Sequence, residues 1–172
     1  MQLIERLEVA RQGEFHIQAT VCARMQTDAQ TAFEFVTAED VLPKILTGYG
    51  LVPGVSHTSG LSGDWHTPGT HRIVHLKGGG QVREEMSDFV PPYHFEYVVS
   101  DFTISLKYLV QHGVGKWVFT PVPGGVRIDW TYAFCARGPM AAAVMNLIVR
   151  HQWVGYMRRS LENMNRILTA RR

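Results

Sequence analysis

Three side chains have the type and spacing to carry acid–base or electrostatic chemistry: His151, Arg72 and Glu85. His151 falls between Leu147 and Val154 on the apolar stripe of a predicted C-terminal helix. There its imidazole could face the interior and act as a base near neutral pH. The alternatives are a hydrogen-bonded core histidine or a surface residue one step off the stripe. His151 is the first candidate for a catalytic base.

Arg72 and Glu85 are candidates because they fall in neighbouring predicted strands. Arg72 shares a phase with Val74 and Leu76, so it could bring a cation inward to hold a carboxylate or enolate oxygen. An inward pair of Arg72 with Glu85 would be either a ligand clamp or a structural ion pair. A shift of one residue would turn both side chains outward.

The candidate side chains depend on a predicted antiparallel sheet and the helices that cover it. The run from His16 to Met25 alternates apolar and polar residues, which predicts a strand with one buried face. A short helix follows with Thr27 or Asp28 as its cap, and a second short helix is predicted from about Glu39 to Leu46.

The rest of the chain predicts more strands and then one long helix. From Pro139 onward, apolar residues recur at helical spacing, and Gly138-Pro139 is a typical helix start. The order of strand, two short helices, about six strands and long helix indicates an α+β fold, because the apolar sheet face and the helix stripe must cover each other. The six strands are predicted at 55–59, 70–76, 82–89, 94–99, 116–120 and 126–135.

Composition indicates one globular domain and excludes several functional classes. The 172 residues are 45% apolar and 19% charged, with 17 basic and 15 acidic residues spread along the chain. This balance is too even for a nucleic-acid-binding surface. No apolar run is long enough to span a membrane, and the first 14 residues lack the apolar core of a secretory signal, so we expect a cytoplasmic protein.

Neither a disulfide, a metal nor a cofactor is expected from the motifs. If the first and last strands pair antiparallel, Cys22 lies opposite Asp129 rather than near Cys135, and both thiols stay unpaired. The eight histidines form no metal-ligand grouping. Nucleophile elbows, P-loops and dinucleotide fingerprints are absent, since Gly78–Gly80 is not followed by a helix or by Lys-Ser/Thr.

Three blocks of sequence, in matching order, resemble the polyketide cyclase/dehydratase-like branch of the START and birch-pollen-allergen-like (SRPBCC) superfamily. The first departs from the family pattern where Leu42 and Ile45 replace the usual tryptophans. The blocks are MQTDAQTAFEFVTAEDVLPKIL (25–46), SDFVPPYHFEYVV (87–99) and KWVFTPVPGGVRIDWTYAFCARGPMAAAV (116–144).

The resemblance implies a helix-grip fold over residues 15–172, with about seven curved antiparallel strands around the long C-terminal helix and an N-terminal extension at 1–14. It also implies a cavity between sheet and helix that opens near the short helices. Pocket sites combine apolar walls with few polar anchors. An ordinary core role is the alternative for each candidate ligand-binding residue, namely Phe95, Tyr97, Trp117, Phe119, Ile128, Trp130, Tyr132 and Leu147.

Two functions follow from the implied cavity, and a third is weaker. As an enzyme, the protein would fold a polyketide-like intermediate and promote its cyclisation, dehydration or isomerisation without a cofactor. As a carrier or sensor, it would bind a lipid, quinone or other hydrophobic ligand without chemistry. A protein-interaction module explains the aromatic strands least well. The expected partner is a small hydrophobic ligand rather than nucleic acid, and a homodimer remains open.

Overall fold

A computed structural model describes residues 4–8, 11–12 and 14–170. Its helices are α1 (Ala29–Thr37), α2 (Leu42–Ile45), α3 (Pro139–Ile148) and α4 (Val154–Ala170). Its strands are β1 (Ile4–Glu8), β2 (Arg11–Gln12), β3 (Glu14–Met25), β4 (Gly48–Tyr49), β5 (Val52–Pro53), β6 (Val55–Ser59), β7 (His71–Leu76), β8 (Gln81–Val90), β9 (His94–Ser100), β10 (Val110–Val122) and β11 (Gly125–Ala136).

The main sheet confirms the predicted helix-grip arrangement. Seven antiparallel strands run in the order β3, β11, β10, β9, β8, β7, β6, and β1 adds to the outer edge of β3. The register between β3 and β11 sets Cys22 opposite Asp129 as predicted, and the Cys22 thiol donates a hydrogen bond to the Asp129 carboxylate at 2.6 Å. Cys22 and Cys135 form no disulfide.

The alternation in β3 has the predicted consequence for burial. Ile17, Ala19, Val21, Ala23 and Met25 are all at most 4% exposed, because successive strand residues point to opposite sheet faces. The same period places Phe95 and Tyr97 of β9 in the core. The inward-facing residues of β3 and β9 are therefore apolar along these two strands.

The two short helices lie where the sequence predicts them. Asp28 caps α1 by accepting a hydrogen bond from the Thr31 backbone N–H at 2.8 Å, and this bond lowers the pKa of the Asp28 carboxyl. The second helix is shorter than the predicted 39–46 and tolerates Pro43 because the proline lies in its first turn. A small hairpin of β4 and β5 follows it.

Two other segments differ from the predictions. The helix-grip fold was expected over residues 15–172, but the described part of the N-terminal extension forms strands that join the main sheet, with Arg6 opposite Thr20 of β3. Strand β10 begins at Val110 instead of about 116. Gly113 and Gly115 obscure its start in the sequence, since glycine weakens a strand pattern and often marks a close approach of other groups.

The long C-terminal helix is confirmed, but it is not one regular α-helix. A π-helical segment, Val149–Trp153, joins α3 to α4. A π turn inserts one extra residue, which rotates everything beyond it by about 100° relative to an uninterrupted helix. In α4 the stripe residues Val154 and Leu161 are buried, whereas in α3 Met140 and Leu147 are 84% and 60% exposed.

Candidate functional site

A cavity of about 280 Å³ lies between the sheet and the C-terminal helix. Strands β7, β8, β9 and β11 form one wall, and α3, the π-helical segment and α4 form the other. The walls consist of Leu42, Leu46, Leu51, Val52, Pro53, Val55, Val74, Leu76, Val82, Glu84, Tyr97, Val99, Phe102, Ile104, Leu106, Trp130, Tyr132, Phe134, Met145, Ile148, Gln152, Trp153 and Tyr156.

Two glycines of β10 make room for the aromatic wall. A Cβ atom at Gly113 would lie 2.6 Å from the Tyr132 hydroxyl oxygen, and one at Gly115 would overlap the Tyr97 ring. Both phenol rings therefore lie against bare backbone in the middle of the sheet. Any side chain at either glycine would push a ring into the cavity.

A buried ion pair borders the cavity. The Arg72 Nε atom donates to Glu84 Oε2 at 2.8 Å, and the two side chains are 4% and 8% exposed. Arg72 also donates to the Glu39 carbonyl oxygen at 3.2 Å, and its guanidinium carbon lies 3.8 Å from the centre of the Trp65 ring. These contacts compensate the cost of desolvating the two charges.

Three buried phenols interact electrostatically with this carboxylate. Burial raises the pKa of Tyr97, Tyr132 and Tyr156, and the negative charge of Glu84 raises each pKa further. The pKa of Tyr132 and that of Tyr156 also respond to Tyr97, so the groups are close enough to interact. At neutral pH all three are uncharged hydroxyls that can donate or accept a hydrogen bond.

Two indole N–H groups on the walls lack a hydrogen-bond partner among the described residues. They belong to Trp130 and Trp153, and the Trp130 N–H lies near the Tyr97 hydroxyl without reaching hydrogen-bond geometry. Buried donors without partners are rare in folded proteins, and they often indicate that a bound molecule or a water completes the site.

The positions expected for His151 and Leu147 are wrong. His151 is exposed within the π-helical segment, and Leu147 is 60% exposed on α3. The apolar stripe that predicted both assumes an unbroken α-helix, and the extra residue of the π turn breaks that assumption. Ile148 and Gln152, each one position further along the chain, line the cavity instead.

The position expected for Glu85 is also wrong, whereas Arg72 faces inward as predicted. Arg72 lies opposite Glu84, so Glu84 is its partner. Glu85 forms a partly exposed ion pair with Arg83 at 2.7 Å. The signal was available in the sequence, because Glu84 alternates with the apolar Val82 and Met86, and residues two apart in a strand share a face.

The seven ligand-binding residues predicted on the strands divide into three groups. Tyr97, Trp130 and Tyr132 lie on the cavity wall. Phe95 and Trp117 border a separate void of about 30 Å³ beside the ion pair. Phe119 and Ile128 are 2% and 0% exposed in the packed core, outside the cavity wall. The inner-face prediction is therefore confirmed for all seven strand residues, but only three of them line the cavity.

The mouth of the cavity lies at the turn between β4 and β5. Leu51 lines the cavity and is also 90% exposed, which identifies the opening. The Leu51 backbone N–H donates to the Gln152 side-chain oxygen at 3.0 Å, which links this turn to the π-helical segment. No sequence pattern pointed to Gln152 or Tyr156, since the helix phase beyond Ile148 depends on the π turn.

The described residues contain no cluster of three or more His, Cys, Asp or Glu side chains that could hold a metal ion. Among the described helices, none has both the length and the apolarity needed to cross a bilayer. Within the described part of the chain, the polar groups at the cavity are one carboxylate, three neutral phenols, the Gln152 amide and the indole N–H groups of Trp130 and Trp153. Such groups can hold an oxygen atom of a ligand or move a proton without a metal.

A family model described as polyketide cyclase / dehydrase and lipid transport matches residues 16–169. This match confirms the resemblance inferred from the three sequence blocks. A search of curated proteins finds no match.

Solved structures share the fold at low sequence identity. The crystal structure of Ara h 8.0201 has a TM-score of 0.66 at 12% identity, covering 90% of this chain and 99% of that one. A protein from Rhodobacter sphaeroides has a TM-score of 0.69 at 9% identity, covering 99% and 100%. The major latex-like protein 151 of Panax ginseng has a TM-score of 0.67 at 9% identity, covering 87% and 95%.

Proposed function

The chain belongs to the polyketide cyclase / dehydrase and lipid transport family, and on that premise we propose that it binds a small, uncharged, largely apolar molecule in the interior cavity. The observation that carries the proposal is an apolar space whose polar side chains are few and clustered. Glu84, Tyr97, Tyr132 and Tyr156 supply one polar region, and Gln152 lies at the mouth. Ligand sites combine apolar walls with a few placed polar groups in this way.

The size of the cavity supports a compact ligand. Its volume of about 280 Å³ corresponds to roughly nine waters at about 30 Å³ each. Ligand pockets commonly range from about 300 to 1,000 Å³, so this cavity is at the lower end. A molecule with one or two rings fits this space better than a lipid with two long chains.

The charges of the wall favour a neutral ligand with a carbonyl or hydroxyl oxygen. The phenols are protonated donors, because burial and the Glu84 charge raise their pKa values. Among the described residues, no Lys or Arg lines the cavity wall, and Arg72, which lies next to it, is paired with Glu84. A carboxylate ligand would therefore face Glu84 without a free counter-charge, which is costly in an apolar cavity.

Filling the cavity tests this proposal. Val99 lines the cavity, and Val98, the next residue of β9, points to the opposite face of the sheet. We expect Val99→Phe to abolish binding of an environment-sensitive naphthalene dye, and Val98→Phe to retain it. Native mass spectrometry of the purified protein then identifies any co-purified ligand. Equal dye binding by the two folded variants, checked by circular dichroism, would contradict the cavity as the binding site.

Catalysis of cyclisation, dehydration or isomerisation is the second candidate. Three neutral phenols that interact electrostatically with one carboxylate favour it. Glu84 would take the proton from the carbon between two carbonyl groups, and a phenol would donate a hydrogen bond to the enolate oxygen. The enolate carbon would then form a bond to a second carbonyl carbon, the proton would return to the new alkoxide, and loss of water would complete a dehydration.

A turnover assay separates catalysis from binding. A neutral poly-β-ketone is incubated with the protein, and its products are followed by mass spectrometry. We expect Tyr132→Phe to lower turnover at least about tenfold while dye binding persists, since it removes only the donor. His151→Ala is the matched control, because the exposed imidazole should not affect the reaction. If the substrate stays unchanged, the catalytic candidate is contradicted and only binding is supported. Loss of turnover in His151→Ala would instead indicate that His151, rather than Glu84, is the base.

A further inference from the structure

The first half of the C-terminal helix carries an unpartnered apolar face. Met140, Val144 and Leu147 are 84%, 44% and 60% exposed, and their spacing of four and three residues places them on one side of α3. Large apolar side chains grouped on a surface commonly indicate an interaction site. We call these residues the α3 apolar face.

The α3 apolar face belongs to the rim of the cavity mouth. Leu147 is followed directly by Ile148 of the cavity wall. Leu51, at 90% exposure, lies on the same opening, and its N–H is bonded to Gln152 one helical turn beyond Ile148. Tyr108, at 71% exposure, comes two residues after the wall residue Leu106. Exposed apolar groups therefore border the opening from three separate elements.

The charged residues within the rim segments are basic, and acidic residues occur only at their borders, at Asp101 and Glu162. Residues 102–112 and 136–161, which contain most of the rim, include Lys107, Arg137, Arg150, Arg158 and Arg159 and no aspartate or glutamate. Arg137 donates to the Lys107 carbonyl oxygen at 2.7 Å, so the segment with Tyr108 is joined to the start of α3. The Arg159 guanidinium lies 5.3 Å from the centre of the Tyr49 ring, beside the turn that holds Leu51.

We propose that this rim docks on the surface of an anionic lipid bilayer. Apolar side chains of an amphipathic surface insert between lipid headgroups, and neighbouring Lys and Arg side chains bind the anionic headgroups. A second copy of the chain fits the same surface poorly, because a symmetric contact would bring like charges together. Docking in this orientation would hold the cavity mouth against the lipid. The docking proposal does not depend on which ligand the cavity binds.

Vesicle co-sedimentation of the full chain tests the proposal. We expect binding to phosphatidylcholine vesicles that contain phosphatidylserine, little binding to phosphatidylcholine alone, and weaker binding as salt concentration rises. Leu147→Ser should lower the partition coefficient about tenfold, because one inserted apolar side chain is lost. The matched control is Tyr93→Ser. Tyr93 is 57% exposed, but it lies just before the start of β9, at the opposite end of that strand from the cavity-lining residue Phe102.

Two arginine variants test the electrostatic part of the proposal. Arg150→Gln should weaken binding to the anionic vesicles, and Arg24→Gln, on the exposed side of β3, should not. Equal losses in the Leu147 and Tyr93 variants, or equal binding to neutral and anionic vesicles, would overturn the proposal. So would a dimer in analytical ultracentrifugation that Leu147→Ser dissociates, because a second copy would then occupy the face. Ligand binding in the cavity is measured separately with the dye. A failure of the proposed function is therefore distinguishable from a failure of the docking proposal.

Discussion

The two ends of the molecule differ in how fully the sheet is covered. At the closed end, Phe33 of α1 packs against Phe89, Phe95 and Phe119 with ring centres 5.2, 5.8 and 5.4 Å apart. At the mouth, Leu51 and the α3 apolar face are exposed. Close packing determines stability at the first end, whereas the second end keeps an entrance to the cavity. We therefore expect mutations at the closed end to change folding and those at the mouth to change binding.

The largest effect is expected from breaking the buried ion pair between Arg72 and Glu84, which lies between the cavity and the closed end. Glu84→Gln leaves the Arg72 guanidinium buried without its carboxylate, which should lower the free energy of unfolding by about 3–5 kcal/mol. Glu85→Gln, on the exposed side of the same strand, should cost no more than about 0.5 kcal/mol. Urea denaturation measures both. The double variant Arg72→Met with Glu84→Leu should recover most of the loss, and equal losses in Glu84→Gln and Glu85→Gln would contradict the assigned register.

The next effect contrasts the two halves of the C-terminal helix. Leu161 of α4 is fully buried, so Leu161→Ala should lower the free energy of unfolding by about 2–5 kcal/mol through lost burial and the cavity left behind. Leu147→Ala in α3 should change it by less than about 0.5 kcal/mol, because the side chain is already exposed. Chemical denaturation compares the two. Similar losses would mean that α3 is packed like α4.

A smaller effect is expected where the sheet makes room for the phenols. Gly113→Ala adds a methyl group 2.6 Å from the Tyr132 hydroxyl oxygen, and overpacking of this kind costs about 1–3 kcal/mol. The displaced ring should also weaken dye binding in the cavity. Gly138→Ala is the control, since its φ of 166° is extended and no atom lies within 4 Å of the added Cβ. Unchanged dye binding in Gly113→Ala would contradict the claim that this glycine keeps the Tyr132 ring out of the cavity.

The smallest effect concerns alkaline pH. The folded-state pKa values of Tyr97, Tyr132 and Tyr156 lie above that of an unfolded tyrosine, about 10. Their contribution to stability is complete below pH ~10 and is lost as pH rises further, because the unfolded chain releases the protons first. Each should contribute a slope of about −1.4 kcal/mol per pH unit there. Tyr132→Phe should flatten the profile measured by denaturation, whereas Tyr108→Phe, at an exposed position, should not.

Local periodicity was sufficient for much of the fold. The alternation in β3 and β11 predicted which face is buried, and the antiparallel pairing expected between these two strands set Cys22 opposite Asp129. These predictions succeed because both depend on the period of two residues along a strand and on an antiparallel register that keeps the apolar faces on one side of the sheet. Arg72 was placed inward for the same reason. The error at Glu85 came from choosing the wrong phase within β8, although Glu84 between two apolar neighbours carried the correct one.

What the sequence alone determined is the order of elements, the apolar face of each central strand and the family resemblance, because these are properties of short segments. The tertiary structure decided which polar groups reach the cavity. The π turn rotates α3 relative to α4, so His151 and Leu147 face outward and Gln152 and Tyr156 face the ligand space. A π turn is a rare interruption of an α-helix, and no local pattern of apolar residues in this segment specifies where it occurs.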